Sequence, residues 1–171
     1  QFHPWHERAA LQVVQARLRN RRSQAMRHVP GREPLISPLR DNEIEAAIAL
    51  WEDVGLTRPW NDPHTDIRLA LGRDNSTILA ARENDIVTAT AMVGVDGHRG
   101  WVYYLAVAKS RQRTGLGRAM MQACEDWVKA RCHPKLQLMV RTENAGAIVF
   151  YEALGYERAD TIVLGKRFDG R

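Results

Sequence analysis

A chain of 171 residues with 44% hydrophobic and 26% charged content has the length and composition of one ordinary globular domain, and it holds no apolar run long enough to span a bilayer. Its formal charge of +5 belongs to one end: residues 1–34 carry seven arginines against Glu7 and Glu33, while the remaining 18 basic and 18 acidic residues cancel. The domain proper therefore shows no footprint for nucleic acid. Cys124 and Cys132 match neither a metal-ligand pair nor a disulfide framework, and they read as two core thiols of a protein in a reducing cytoplasm.

Residues 1–34 read as a basic N-terminal extension, with a weakly amphipathic, helix-compatible stretch from Ala9 to Met26 and a Pro30-Gly31-Arg32-Glu33-Pro34 linker. An organelle transit segment, a translated upstream stretch and a loose surface helix all fit it. The domain is expected over residues 35–171. Leu35 to Leu39 predicts a strand, followed by a helix capped at Asp41 or Asn42 and running to Asp53 with Ile44, Ala47, Ile48 and Trp51 on one face. After the loop Arg58-Pro59-Trp60-Asn61-Asp62-Pro63 a short helix is expected near Asp66 to Leu71. Thr77–Arg82 and Ile86–Val95 predict a hairpin, and Trp101–Val107 a third strand in series.

From Leu116 to about Arg131, apolar Leu116, Ala119, Met120, Ala123 and Trp127 recur at helical spacing, and Leu136–Val140 reads as a strand parallel to the one before the helix. A last helix runs from an Asn144 cap to Leu154, with Gly155 at its C-terminal turn, and strands are expected around Tyr156 and Ile162–Lys166. The fold class is α/β (mixed α+β): a mostly antiparallel sheet of 6–7 strands with one parallel pair and helices on both faces.

The most informative stretch is Gln112-Arg113-Thr114-Gly115-Leu116-Gly117, between a β-rich run and an amphipathic helix. A helix start offers unpaired N–H groups and a positive dipole end, and glycines let an anion approach them. An isolated pair of glycines would equally serve a tight strand-to-helix turn. The loop lacks the endings of nucleotide P-loops and dinucleotide folds. With Val107 before it, this stretch resembles the central motif of the GCN5-related N-acetyltransferase (GNAT) family, Q/R-x-x-G-x-G/A after a strand ending in valine; the usual proline is Lys109 here. Asn144, Ala147, Phe150-Tyr151-Glu152 and Leu154-Gly155-Tyr156 resemble the family's second signature. Arg58–Pro63, Asp96–Gly100 and Leu164–Arg167 look like the bacterial YpeA-type acetyltransferases.

The resemblance covers about Leu35 to Arg167 and implies the GNAT fold, with its parallel pair splayed, and acetyl-CoA as cosubstrate without a metal. It implies cofactor contacts from Leu105, Val107, Gln112, Arg113, Thr114, Gly115, Leu116, Gly117 and Asn144, with an oxyanion donor among the backbone N–H groups of Leu105 to Val107. Acetyl would pass directly to a primary amine of a small molecule or peptide, and a noncatalytic acyl-CoA-binding or sensing module is the alternative. No nucleic acid or membrane is expected as partner, and a homodimer is compatible with the pattern. Tyr151 is the candidate acid for the leaving thiolate, because a phenol of ordinary pKa near ~10 stays protonated at neutral pH. No carboxylate lies in the two strands of the parallel pair. Glu143, Asp62, His64 and His98 fall near site edges but also suit caps and solvated loops, so no base is named. Trp60 and Asp62 are expected either as an acceptor wall, aromatic plus acid, or as a gap filler and a turn residue.

Overall fold

The computed structural model describes residues 34–168, and the expectations for residues 1–33 lie outside them. Five strands form one sheet in the order of the chain: β1 (Leu35–Pro38), β2 (Ser76–Glu83), β3 (Ile86–Val95), β4 (Gly100–Val107) and β5 (Leu136–Leu138). All neighbours are antiparallel except β4 and β5, which run parallel. The helices are α1 (Ile44–Asp53), α2 (Pro63–Leu71), α3 (Leu116–Lys129) and α4 (Ala145–Glu152).

Period-two alternation divides β2 between two cores. Ile78 and Ala80 face α1 and α2, packing with Ile48, Trp51, Ile67 and Ala106, while Leu79 and Ala81 join the α3 side with Met120, Met121, Cys124 and Val128. Helices therefore cover both faces of the sheet. A buried ion pair ties the first face together: Arg82 on β2 grips Glu43 with two hydrogen bonds of 2.5 and 2.6 Å and also donates to Ser37 and the Pro38 carbonyl of β1.

Several boundaries differ from expectation for local reasons. Asp41 and Asn42 lie in a single 3₁₀ turn (Asp41–Glu43), and Glu43, not either of them, closes the turn by accepting from the Arg40 amide at 2.8 Å. Helix α2 starts at Pro63 rather than near Asp66, because Asp62 is its N-cap and proline is well placed in a first turn. The two-residue turn Asn84-Asp85 has both φ values positive, 48° and 61°, matching the hairpin twist. Strand β5 ends at Leu138, two residues early. Among the described residues the sheet has five strands, not 6–7. Tyr156 closes the end of α4 instead of opening a strand, and Ile162, Val163 and Leu164 are exposed without a neighbouring strand among the described residues. Cys124 is buried, whereas Cys132 is exposed in a left-handed turn (φ 60°) beyond the end of α3, so only one of the two is a core thiol.

Candidate active site

The parallel pair separates after three rungs. Gly100, Trp101 and Val102 pair with Leu136, Gln137 and Leu138, and β4 continues alone on that side to Val107. Alternate N–H and C=O groups of residues 103–107 therefore face a cleft that β5 has left. A bulge coincides with the parting: Thr90 pairs with Ala106 but Met92 with Tyr103, so Tyr104 and Leu105 together face Ala91. Tyr104 adopts φ +50°, a left-handed conformation that a bulky residue rarely takes. Its ring is held by stacking on Trp51 at 4.1 Å, and the Trp51 indole donates to Thr90 at 2.8 Å. Leu105 and Val107 pack toward the α3 face, Tyr104 toward α1 and α2.

Beyond Val107 the chain makes one 3₁₀ turn (Lys109–Arg111) and enters the glycine loop. Gln112 donates to the Val107 carbonyl at 3.1 Å and Thr114 to that of Arg111 at 2.7 Å, which fixes the loop on the strand end. Arg113 (φ 60°) and Gly115 (φ 90°) are both left-handed, and such turns aim successive amides into one concavity. Ala119 is the first amide to bond back, to Gly115 at 3.0 Å. No hydrogen bond among the described residues uses the amides of Arg113, Thr114, Gly115, Leu116, Gly117 or Arg118. Gly117 has a second reason to be glycine, since a Cβ there would stand 3.2 Å from the Phe150 ring of α4.

That contact brings α4 to the loop. Asn144 caps α4 by accepting from the Ala147 amide at 3.1 Å. At the other end Gly155 (φ 90°) permits the Gly155 and Tyr156 amides to bond the carbonyls of Glu152 and Tyr151, both at 3.0 Å, a complete Schellman closure. The Tyr156 ring meets Tyr151 edge-on at 5.8 Å, and its hydroxyl donates to Glu125 of α3 at 3.0 Å. Tyr151 is thus fixed at backbone and ring. Burial, with the nearby Cys124 adding to it, pushes its hydroxyl up to about 12.

On the opposite face the Tyr104 hydroxyl donates to Asp66 of α2 at 2.6 Å and accepts from Asn61 at 3.3 Å. Burial first, and this bond to a carboxylate second, push Tyr104 up to about 12. Asp62 is occupied as the α2 cap, accepting from the His64 amide and the Thr65 hydroxyl. Trp60 is half exposed, with its carbonyl held by Arg167 at 2.9 Å. His98 lies in the β3–β4 turn, at the start of β4 and so at the end away from the loop, where Asp96 accepts from its amide. His64 lies near Glu45, and Glu143 is exposed. The Tyr104, Asp66 and Asn61 cluster was not anticipated. Its members lie 38 and 43 residues apart in pairs, and no local spacing signals it.

A strand that parts from its parallel neighbour at a bulge and ends in a cradle of free amides accords with the sequence comparison. The profile of the Acetyltransferase (GNAT) family matches residues 44–156. The chain belongs to the GNAT acetyltransferase family. It is 44% identical over 128 residues to an acetyltransferase of Pectobacterium atrosepticum, covering 75% of this chain and 91% of that protein. One from Yersinia pseudotuberculosis is 43% identical over the same coverage. Among solved structures, the aminoglycoside N-acetyltransferase AAC(6')-Iy in complex with CoA superposes with a TM-score of 0.69 at 16% identity, over 82% of this chain and 99% of that one. An aminoglycoside acetyltransferase from an uncultured soil metagenomic sample, in complex with sisomicin, gives 0.65 at 17% identity over 78% and 94%. At such identities the structural likeness concerns the fold. The chain is an acetyltransferase with that fold.

Proposed function

We propose that this acetyltransferase moves the acetyl group of acetyl-CoA directly to a primary amine in a ternary complex. The observation that carries the reading is the row of unengaged amides from Arg113 to Arg118 at the start of α3, beside a cleft in the sheet. An anion the size of a pyrophosphate suits such a row, because the N–H groups and the helix dipole are already oriented. The pantetheine arm then follows the open edge of residues 103–107, where its amides find strand N–H and C=O groups. A free N–H near Leu105 stabilises the negative oxygen that develops as the amine attacks.

Tyr151 supplies the proton for the leaving sulfur. A buried phenol with pKa about 12 stays protonated. Desolvation in the same cleft also raises the thiol above its ordinary ~8.5 and narrows the gap between the two groups. Trp60 contributes an apolar wall on the acceptor side, with Asp62 shaping it by capping α2. Residues 1–34 stay outside the catalytic domain, and the reaction belongs in a reducing cytoplasm, where Cys124 and Cys132 remain thiols.

The test is thiol release from acetyl-CoA over a panel of polyamines, aminoglycosides, amino acids and peptide N-termini, with both substrates varied. Intersecting initial-rate lines support direct transfer. Parallel lines would indicate an acetyl-enzyme, and binding without any turnover would leave an acyl-CoA-binding module.

A further inference from the structure

We propose that Asp66 is the acceptor-binding carboxylate of this enzyme, held toward the cleft by Tyr104, and that the acceptor is a cationic amine that it recognises as the ammonium ion. The inference rests on the function proposed above and adds a residue and a substrate class to it. Three observations carry it. Tyr104 lies in the β4 bulge, two residues beyond the last β4–β5 rung at Val102, so its backbone belongs to the open edge while its side chain packs with the α1 and α2 face. Its left-handed φ of +50° costs backbone energy that a tyrosine does not ordinarily meet, and three contacts hold it there: the Trp51 stack, the bond to Asp66 and the bond from Asn61. Finally, the Asp66 carboxylate is half-buried, receives one hydrogen bond and makes no ion pair among the described residues.

A structural role for Asp66 in the first turn of α2 explains these facts less well. Asp62 already caps that helix, one carboxylate oxygen accepting from the His64 amide and the other from the Thr65 hydroxyl. Arg58, whose charge bears on Tyr104, donates to the carbonyls of Gly55 and Thr57. The loop Arg58–Pro63 delivers Asn61 to the cluster, while its own acid turns away into the cap. The two faces of the cleft then differ in role: Tyr151 on the α4 side as proton donor, Asp66 on the α2 side as anchor for positive charge.

The chemistry balances without another reactant. The ammonium loses one proton to solvent or through Asp66, the neutral nitrogen forms the C–N bond as the C–S bond breaks, and the nitrogen then gives its second proton to solvent to leave the neutral amide. The thiolate takes the Tyr151 proton, which solvent then restores. Ammonium plus thioester gives amide, thiol and one released proton.

The test compares wild type, Asp66→Asn and Tyr104→Phe, with spermidine, kanamycin and glycine amide as acceptors. Asparagine keeps an acceptor for the Tyr104 hydroxyl and removes only the charge. The KM for the best acceptor should rise about 10- to 100-fold, the size expected for a lost charge-assisted contact, with the KM for acetyl-CoA and the CoA-induced rise in melting temperature unchanged. Tyr104→Phe, which removes the hydrogen bond to Asp66 and keeps its charge, should raise acceptor KM less than Asp66→Asn does, and circular dichroism should report an intact fold for both. An unchanged acceptor KM in Asp66→Asn overturns the assignment, as does a CoA-binding enzyme that acetylates none of the three. Absence of any CoA effect on wild type would instead defeat the proposed function itself.

Discussion

Gly100 opens β4 beneath the last turn of α3, where there is no room for one more methyl group. A Cβ at Gly100 would stand 2.5 and 2.7 Å from the two γ-methyls of Val128 and 3.2 Å from its Cβ. Neither side can yield easily. Gly100 is paired with Leu136 and its amide bonds the Lys135 carbonyl at 2.8 Å, while Val128 is 2% exposed within the α3 core. Gly100→Ala should therefore cost about 1–3 kcal/mol as overpacking. Val128→Ala alone removes two methyls, worth ~1.6 kcal/mol of transfer plus a cavity term, so about 2 kcal/mol. In the double variant the new methyl occupies the space the valine vacates, and the loss should fall short of the sum of the singles by about 1–2 kcal/mol. Urea unfolding of the four proteins measures this. Additivity to within about 0.5 kcal/mol would refute the placement of α3 on the start of the parallel pair, and with it the support of the loop at the other end of that helix.

Tyr151→Phe should lower kcat on the order of 10²-fold at unchanged acetyl-CoA affinity, and a wild-type rate in single-turnover experiments would reduce Tyr151 to packing. Hydrogen bonding from Arg82 holds the Glu43 carboxyl at about 2, below its ordinary 4.5. The unfolded chain therefore binds the extra proton: the stabilisation, roughly 3 kcal/mol, is complete above pH 4.5 and disappears as pH falls through about 2. Glu43→Gln should flatten that acid limb of the stability curve, and an unaltered limb contradicts the pairing. Removing residues 1–34 should leave the CoA-induced thermal shift intact; loss of the shift would make the basic segment part of the site.

Much of the fold was legible because burial on one or both faces writes itself into sequence with period 2 or 3.6. The hairpin of β2 and β3 and the buried stripe of α3 follow from that alone. The start of α2 was hidden because Asp62-Pro63 is equally good chemistry for a loop and for a helix beginning. The final strands were overread, since Ile162–Leu164 has strand composition but strand formation also needs an edge to join, and β5 is three residues long. In the site, the glycine loop and the two ends of α4 were readable because each is a local motif. The Tyr104–Asp66 bond was not, because a bulge in β4 brings two distant residues together and neither sequence neighbourhood records it.

The central claim is that the amides of 113–118 cradle the pyrophosphate of CoA, and an NMR titration of isotope-labelled protein with CoA tests it most directly. The largest amide shifts should fall on residues 113–118 and along the open edge 103–107, and pantetheine, which lacks the pyrophosphate, should move the second group but not the first. Shifts centred instead on Arg40, Glu43, Asp85 and Ile86, which line a separate concavity, would contradict it.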